Sequence, residues 1–180
     1  MVTIELNVLR TVSERLEAAR LPFMVTGSIA LAYYAAPRMT RDIDIVVALS
    51  PAALSPLQKA LGDDFYFDAD YALDAIRNER LFNLMHIASA MKIDLIVLKS
   101  SEYRQLEFSR RQAINVGGVP TWIVSREDLI LSKLEWSKES ASEMQRRDIV
   151  QLLAAPVDWE YLHHWGTALG VDSALQEMRP

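Results

Sequence analysis

Apolar residues recur at helical spacing from the start of the chain. Ile4, Val8, Leu9, Val12, Leu16 and Ala19 share one face and predict an amphipathic helix, followed by Pro22. "FMVTG" then reads as a short strand ending at Gly27, and "SIALAYYAA" as a helix of small and aromatic residues stopped by Pro37. In "DIDIVVAL" the pattern changes to alternation, the period of a strand. Ser50 and Pro51 cap and open a further helix, with Leu54, Leu57 and Leu61 on one face. "GDDFYFDAD" predicts a turn or short strand and "YALDAIRNER" a short helix. "LFNLMHIAS" and "MKIDLIVL" predict paired strands across a brief turn. Residues 102–110 suit a short helix, and Gly117-Gly118 predicts a hairpin within "QAINVGGVPTWIV".

From residue 125 onward helical periods take over. Ser125 to Asp128 has the form of a capping box, with Asp in place of Glu or Gln. "LILSKLEWSK", "EMQRRDIVQLLAA" and "DWEYLHHWGTALG" predict three helices, and "DSALQEM" a weaker fourth. The expected organisation is a mixed α/β unit over residues 1–124 and a helical tail over residues 125–180. The link between them is short and not Gly/Ser-rich, so the tail is expected to pack onto the first unit.

Composition narrows the chemistry. The chain has 180 residues, of which 51% are hydrophobic, enough for a sizeable core. It has no cysteine, which excludes disulfides, thiolate metal sites and a cysteine nucleophile. The net charge of −5 does not suit a broad grip on duplex DNA. The first twenty residues carry charges throughout, so no signal peptide is expected, and no apolar run is long enough to span a membrane. A cytoplasmic enzyme or binding domain is the expected class.

The alternation in "DIDIVVAL" directs Asp42 and Asp44 to one face while Ile43, Ile45 and Val47 enter a core. Two carboxylates at this spacing lie roughly 7 Å apart at Cβ and repel. A divalent cation reverses that interaction, and hard oxygen ligands favour Mg²⁺. The competing reading is a solvated edge strand. Asp94 in "KIDLIVL" shares a face with Ile96 and Leu98, opposite Ile93, Leu95 and Val97, so that both faces read as buried and the carboxylate needs a partner. That partner is either a metal shared with Asp42 and Asp44 or the neighbouring Lys92. Gly27-Ser28 stands between strand and helix, where unpaired N–H groups bind anions and glycine admits a phosphate, or where serine is an ordinary cap. Arg38, Thr40 and Arg41 either neutralise phosphate charge or damp the repulsion of the acids.

Gly27, Ser28, Asp42, Asp44 and Asp94 together resemble the minimal nucleotidyltransferase superfamily, related to DNA polymerase beta. Its signature is Gly-Ser, a helix, Asp-x-Asp and a third carboxylate on a later strand. "RMTRDID" looks most like the subgroup of abortive-infection toxins and stand-alone nucleotidyltransferases. In the tail, Asp128-Leu129, Lys133-Leu134 and Arg147-Asp148 resemble the helices of that subgroup, so the similarity covers roughly residues 20 to 153.

The resemblance implies an α/β (α+β) fold with a mixed sheet flanked by helices. It also implies transfer of a nucleoside monophosphate from an NTP such as ATP to an acceptor hydroxyl, with release of pyrophosphate. Asp42, Asp44 and Asp94 would be catalytic and hold two Mg²⁺ ions. Gly27, Ser28, Thr40, Arg41 and Lys133 would bind the nucleotide. The acceptor is a small molecule, a tRNA end or a protein side chain, and a toxin–antitoxin role would bring an antitoxin partner. A catalytically silent nucleotide-binding or interaction module is the alternative from another class. Metal-dependent phosphate-ester hydrolysis is a further rival, but close-set histidine ligands are missing.

Lys133 follows Leu129 and Ile130 and precedes Trp136 on one stripe. It either snorkels to solvent or points at the phosphates, in which case Lys133→Ala is expected to lower turnover with little loss of stability. Asp148 either orients Lys133, acts as a base, or pairs with Arg146 or Arg147. His86, His163 and His164 are read as structural, and Trp122, Trp136, Trp159 and Trp165 as core or groove-rim residues in preference to a stacking platform for bases.

Overall fold

The computed structural model describes residues 3–36, 42–140 and 142–179. Its centre is a seven-stranded mixed sheet of β1 (Phe23–Val25), β2 (Asp42–Val47), β3 (Phe65–Tyr66), β4 (Leu81–His86), β5 (Met91–Val97), β6 (Gln112–Val116) and β7 (Val119–Ile123). The strand order is β3-β4-β5-β2-β1-β7-β6. β2 runs parallel to β5 and β1 parallel to β7, and the other pairs are antiparallel. The paired strands and the Gly117-Gly118 hairpin expected from the alternation are present.

Helices cover both faces. Against one face lie α1 (Ile4–Ala18), α3 (Leu54–Leu61) and α4 (Ala69–Arg77). Val8, Leu9, Val12 and Leu16 of the predicted amphipathic stripe are buried there, while Ile4 remains 58% exposed. Ile43, Ile45 and Val47 enter the same core, beside Ile93, Leu95 and Val97. The other face carries α2 (Gly27–Tyr34), α5 (Glu102–Ser109) and the C-terminal helices α6 (Arg126–Ser140), α7 (Glu143–Leu153), α8 (Trp159–Ala168) and α9 (Asp172–Glu177). These share one apolar cluster with Met24 and Ile123 of the sheet, so the helices after residue 125 are packed onto it.

Two expectations change in detail. Ser50 makes no side-chain cap; a short 3₁₀ turn with Pro51 at its start leads into α3 instead. The face of β5 carrying Asp94 and Ile96 is half-buried and not closed over. The covering helices stop short of this part of the sheet, which leaves a cleft.

The start of α6 is the joint that fixes the C-terminal helices. Ser125 accepts from the Asp128 N–H at 3.2 Å, the capping bond the sequence predicts. Asp128 is completely buried and accepts from Ser125 Oγ at 2.6 Å, Tyr161 Oη at 2.6 Å, Tyr103 Oη at 3.2 Å and Arg110 Nε at 3.0 Å. One carboxylate thus joins α5, α6 and α8. Asp128→Ala leaves three hydroxyls and a guanidinium without their acceptor. It is expected to lower unfolding free energy by about 3 kcal/mol in urea denaturation, while Asp128→Asn loses less because it keeps one acceptor oxygen.

Candidate active site

The cleft floor is built by strand register. Three cross-strand rows follow one another on the open face of β4, β5 and β2. Met85, Lys92 and Asp42 form the first; Asn83, Asp94 and Asp44 the second; Leu81, Ile96 and Val46 the third. The parallel pairing of β2 with β5 sets Asp44 directly beside Asp94. The alternation that buries Ile43 and Ile45 therefore also fixes which carboxylates meet.

The wall beside them is the β1–α2 turn. Thr26 donates its N–H to the Asp44 carbonyl at 2.9 Å, which draws the turn against β2. Gly27 has φ of +60°, a conformation that favours glycine. A Cβ at this position would lie 1.9 Å from Asp44 Oδ2. The Asp44 carboxylate therefore occupies the space a side chain at residue 27 would need. Ser28 is buried in the first turn of α2 and lines the cleft with Gly27. The unpaired N–H groups of a helix start are thus within a side chain's width of the acids.

The opposite wall is α6 and α7. Lys133 lines the cleft and is only 5% exposed, so it does not snorkel to solvent. Its Nζ donates to Asp148 Oδ2 at 2.8 Å and to Gln145 Oε1 at 3.0 Å. Asp148 is buried on α7 and is oriented toward Lys133. This revises the expectation for Lys133→Ala. Removing the lysine takes one charged hydrogen-bond partner from the buried Asp148, which is expected to lower stability by about 1.5–3 kcal/mol.

Altogether the cleft has a volume of about 570 Å³. It brings together Gly27, Ser28, Asp42, Asp44, Asp94 and Lys133. Thr40, Arg41 and Arg38 lie outside the described residues. The histidines do not line it: His86 meets Ser89 Oγ at 2.8 Å and His163 meets Asp172 Oδ1 at 2.7 Å.

Of the two partners that the sequence offered Asp94, Lys92 is bonded to it. Lys92 Nζ donates to Asp94 Oδ2 at 3.0 Å and stands 3.8 Å from Asp42 Oδ2, and Asn83 Nδ2 donates to Asp94 Oδ1. The hydrogen bond to Asp94, together with the nearby Asp42 and Asp44, raises the Lys92 pKa. Among the described residues, no three acidic or histidine side chains are oriented to share one ion. Asp44 carries the strain of the arrangement. Burial first, then the charges of Asp42 and Asp94, push its pKa up to about 6, against the opposing pull of Lys133 and Lys92. An all-oxygen donor set under this repulsion fits a hard divalent cation.

The chain has relatives over most of its length. It matches the family described as "nucleotidyltransferase of unknown function", DUF6036, over residues 1–174. No curated protein matches it by sequence. Among solved structures, the antibiotic-resistance factor ANT(2'')-Ia superposes with a TM-score of 0.64 at 14% identity, covering 98% of this chain and 97% of that one. An antigenic nucleotidyltransferase-like protein from Paracoccidioides brasiliensis gives 0.65 at 16% identity, covering 98% and 88%. The lincosamide antibiotic adenylyltransferase LnuA, solved with lincomycin bound, gives 0.54 at 14% identity, covering 84% and 96%. These likenesses establish the fold.

The raised Asp44 pKa has a consequence for stability. The folded protein holds this proton more tightly than the unfolded chain, whose value is near 3.8. The contribution is therefore complete below about pH 3.8 and lost as pH rises through about 6. In metal-free protein, Asp44→Asn is expected to raise Tm at pH 7 and to have little effect near pH 4. Millimolar Mg²⁺ is expected to stabilise the wild type at pH 7 more than the variant. Thermal melts at both pH values, with and without EDTA, measure this directly.

Proposed function

The chain belongs to the DUF6036 nucleotidyltransferase family, and from that premise we propose that it transfers a nucleoside monophosphate from an NTP to an acceptor hydroxyl. The carrying observation is the meeting, in one cleft, of a helix N-terminus at Gly27-Ser28, three carboxylates, and the buried Lys133. A triphosphate needs donors along its oxygens and a cation between them and the carboxylates. This cleft has the carboxylates on its floor and donors on both walls.

Asp42 and Asp44 would hold Mg²⁺, which would neutralise triphosphate charge and orient the α-phosphoryl group. Asp94 would complete the set for the two ions implied by the Asp-x-Asp resemblance once Lys92 turns away from it. The Gly27 main chain and the Ser28 hydroxyl bind the outer phosphates. Lys133, held in place by Asp148 and Gln145, faces the charge that grows on the departing pyrophosphate. Asp94 accepts the proton of the acceptor hydroxyl. The acceptor oxygen forms a bond to the α-phosphorus, the bond from that phosphorus to the bridging oxygen breaks, and pyrophosphate leaves with the electron pair. The protein's contribution is positioning and charge stabilisation.

A small-molecule acceptor suits a cleft of about 570 Å³ with an acidic floor. A related fold has been solved with adenylyl-2''-tobramycin, an adenylylated small molecule. A tRNA end or a protein side chain is the competing outcome of the assay below.

Incubation with α-labelled NTPs, Mg²⁺ and a panel of hydroxyl-bearing acceptors should move the label onto one acceptor class, identified by mass spectrometry. Asp94→Asn should reduce that transfer by about 10²-fold or more while leaving affinity for a nonhydrolysable NTP within a few-fold of wild type. Label released as free nucleotide without transfer would mean hydrolysis. Nucleotide binding with no turnover on any acceptor would mean a silent binding module.

A further inference from the structure

The cleft changes character along its length. One row beyond Asp94 and Asp44, its floor becomes Leu81 and Ile96, side by side across β4 and β5. The facing wall changes in step. Three residues past Lys133 on α6 comes Trp136, and Met144 of α7 lies at the same mouth. Trp136 is 56% exposed and Met144 is 51% exposed. Large apolar side chains left this open at a cleft mark a contact surface more often than a packing fault. Trp122 and Trp165, by contrast, pack against the apolar clusters.

The offsets match the anatomy of one ligand. A step of two residues along a strand is about 6.6 Å, and three residues along a helix rise about 4.5 Å. The apolar walls therefore begin about one sugar's width from the carboxylates and Lys133. A molecule anchored by phosphates at the polar end places a flat ring between Ile96 and Leu81 on one side and an indole on the other. We propose that Trp136 is the stacking residue for the nucleobase of the NTP, a reading that rests on the nucleotidyltransferase assignment above.

The same geometry defines the substrate class further. On α6 and α7, Ser132 and Gln145 line the same cleft as Trp136. Ser132 donates to Glu107 Oε1 at 2.7 Å and accepts from Arg104 Nη1 at 2.7 Å, and Gln145 Oε1 accepts from Lys133. Stacking on an indole engages the face of a base and not its edge, so by itself it tolerates every base and favours those of larger ring area. The chain should accept both purine and pyrimidine nucleotides, purines more tightly.

The test is calorimetry of wild type, Trp136→Ala and Trp136→Phe with Mg²⁺ and three probes: nonhydrolysable analogues of ATP and of CTP, and inorganic triphosphate. Trp136→Ala should weaken both analogues by about ten-fold or more and leave triphosphate unchanged, while Trp136→Phe should recover most of the loss. Unchanged analogue affinity in Trp136→Ala, or an equal loss for triphosphate, would overturn the assignment. So would intact nucleotide affinity with impaired transfer, which would give the indole to the acceptor. Wild type that binds ATP analogue at least a hundred-fold tighter than CTP analogue would overturn base tolerance. Wild type that binds neither analogue nor triphosphate would instead remove the nucleotidyltransferase reading itself.

Discussion

Everything in the cleft depends on the contact between the Asp44 carboxylate and the backbone of Gly27. Asp44 Oδ2 occupies the position of the absent Cβ, and the positive φ of Gly27 turns the chain into α2 at that point. The Thr26 N–H bonds to the Asp44 carbonyl and holds the two segments together. A helix N-terminus, which attracts anions, is thereby placed against a cluster that repels them. In the proposed function neither half would recognise a triphosphate alone. With a divalent cation between carboxylates and phosphates, both halves attract the same ligand.

The C-terminal helices keep this arrangement one-sided. Asp128 gathers hydroxyls and a guanidinium from three helices, so α6 enters its position with little freedom. Lys133 is then buried beside Asp148, and its ammonium stays at the cleft wall at the expense of desolvating two charges. A lysine free to snorkel would spread its charge over many positions. In the proposed reaction, this one is fixed where negative charge would develop. Lys92 differs: it is half-exposed on the floor, bonded to Asp94 and close to Asp42. It partly offsets the acids' repulsion, and Asp44, farther into the turn, keeps the raised pKa.

Periodicity made most of the elements legible. The alternation of "DIDIVV" gave both the strand and the common direction of Asp42 and Asp44, because side-chain direction on a strand follows from position alone. Gly27 was legible as a turn residue for the same local reason. Cross-strand partners were not. The Asn83–Asp94 contact follows from the register of β4 with β5, and sequence spacing does not encode that register. The half-open face around Ile96 was misread as buried because an apolar residue looks the same under a helix as on the floor of a cleft. Lys133 was found by its place on an apolar stripe and by the resemblance, with Asp148 offered as one of its partners, and the two are bonded across α6 and α7. Trp136 was read only as core or groove rim, since its exposure depends on where α6 and α7 end against the sheet.

The account's central claim is that the carboxylates beside Gly27 are a cation site completed by nucleotide phosphates. Crystals grown with Mn²⁺ and a nonhydrolysable ATP analogue test it most directly, through the anomalous signal of the metal. The account predicts an anomalous peak bridging Asp42 and Asp44, with the outer phosphates on the Gly27 and Ser28 N–H groups. A nucleotide bound with no metal peak at these residues, or a peak elsewhere in the fold, would contradict it.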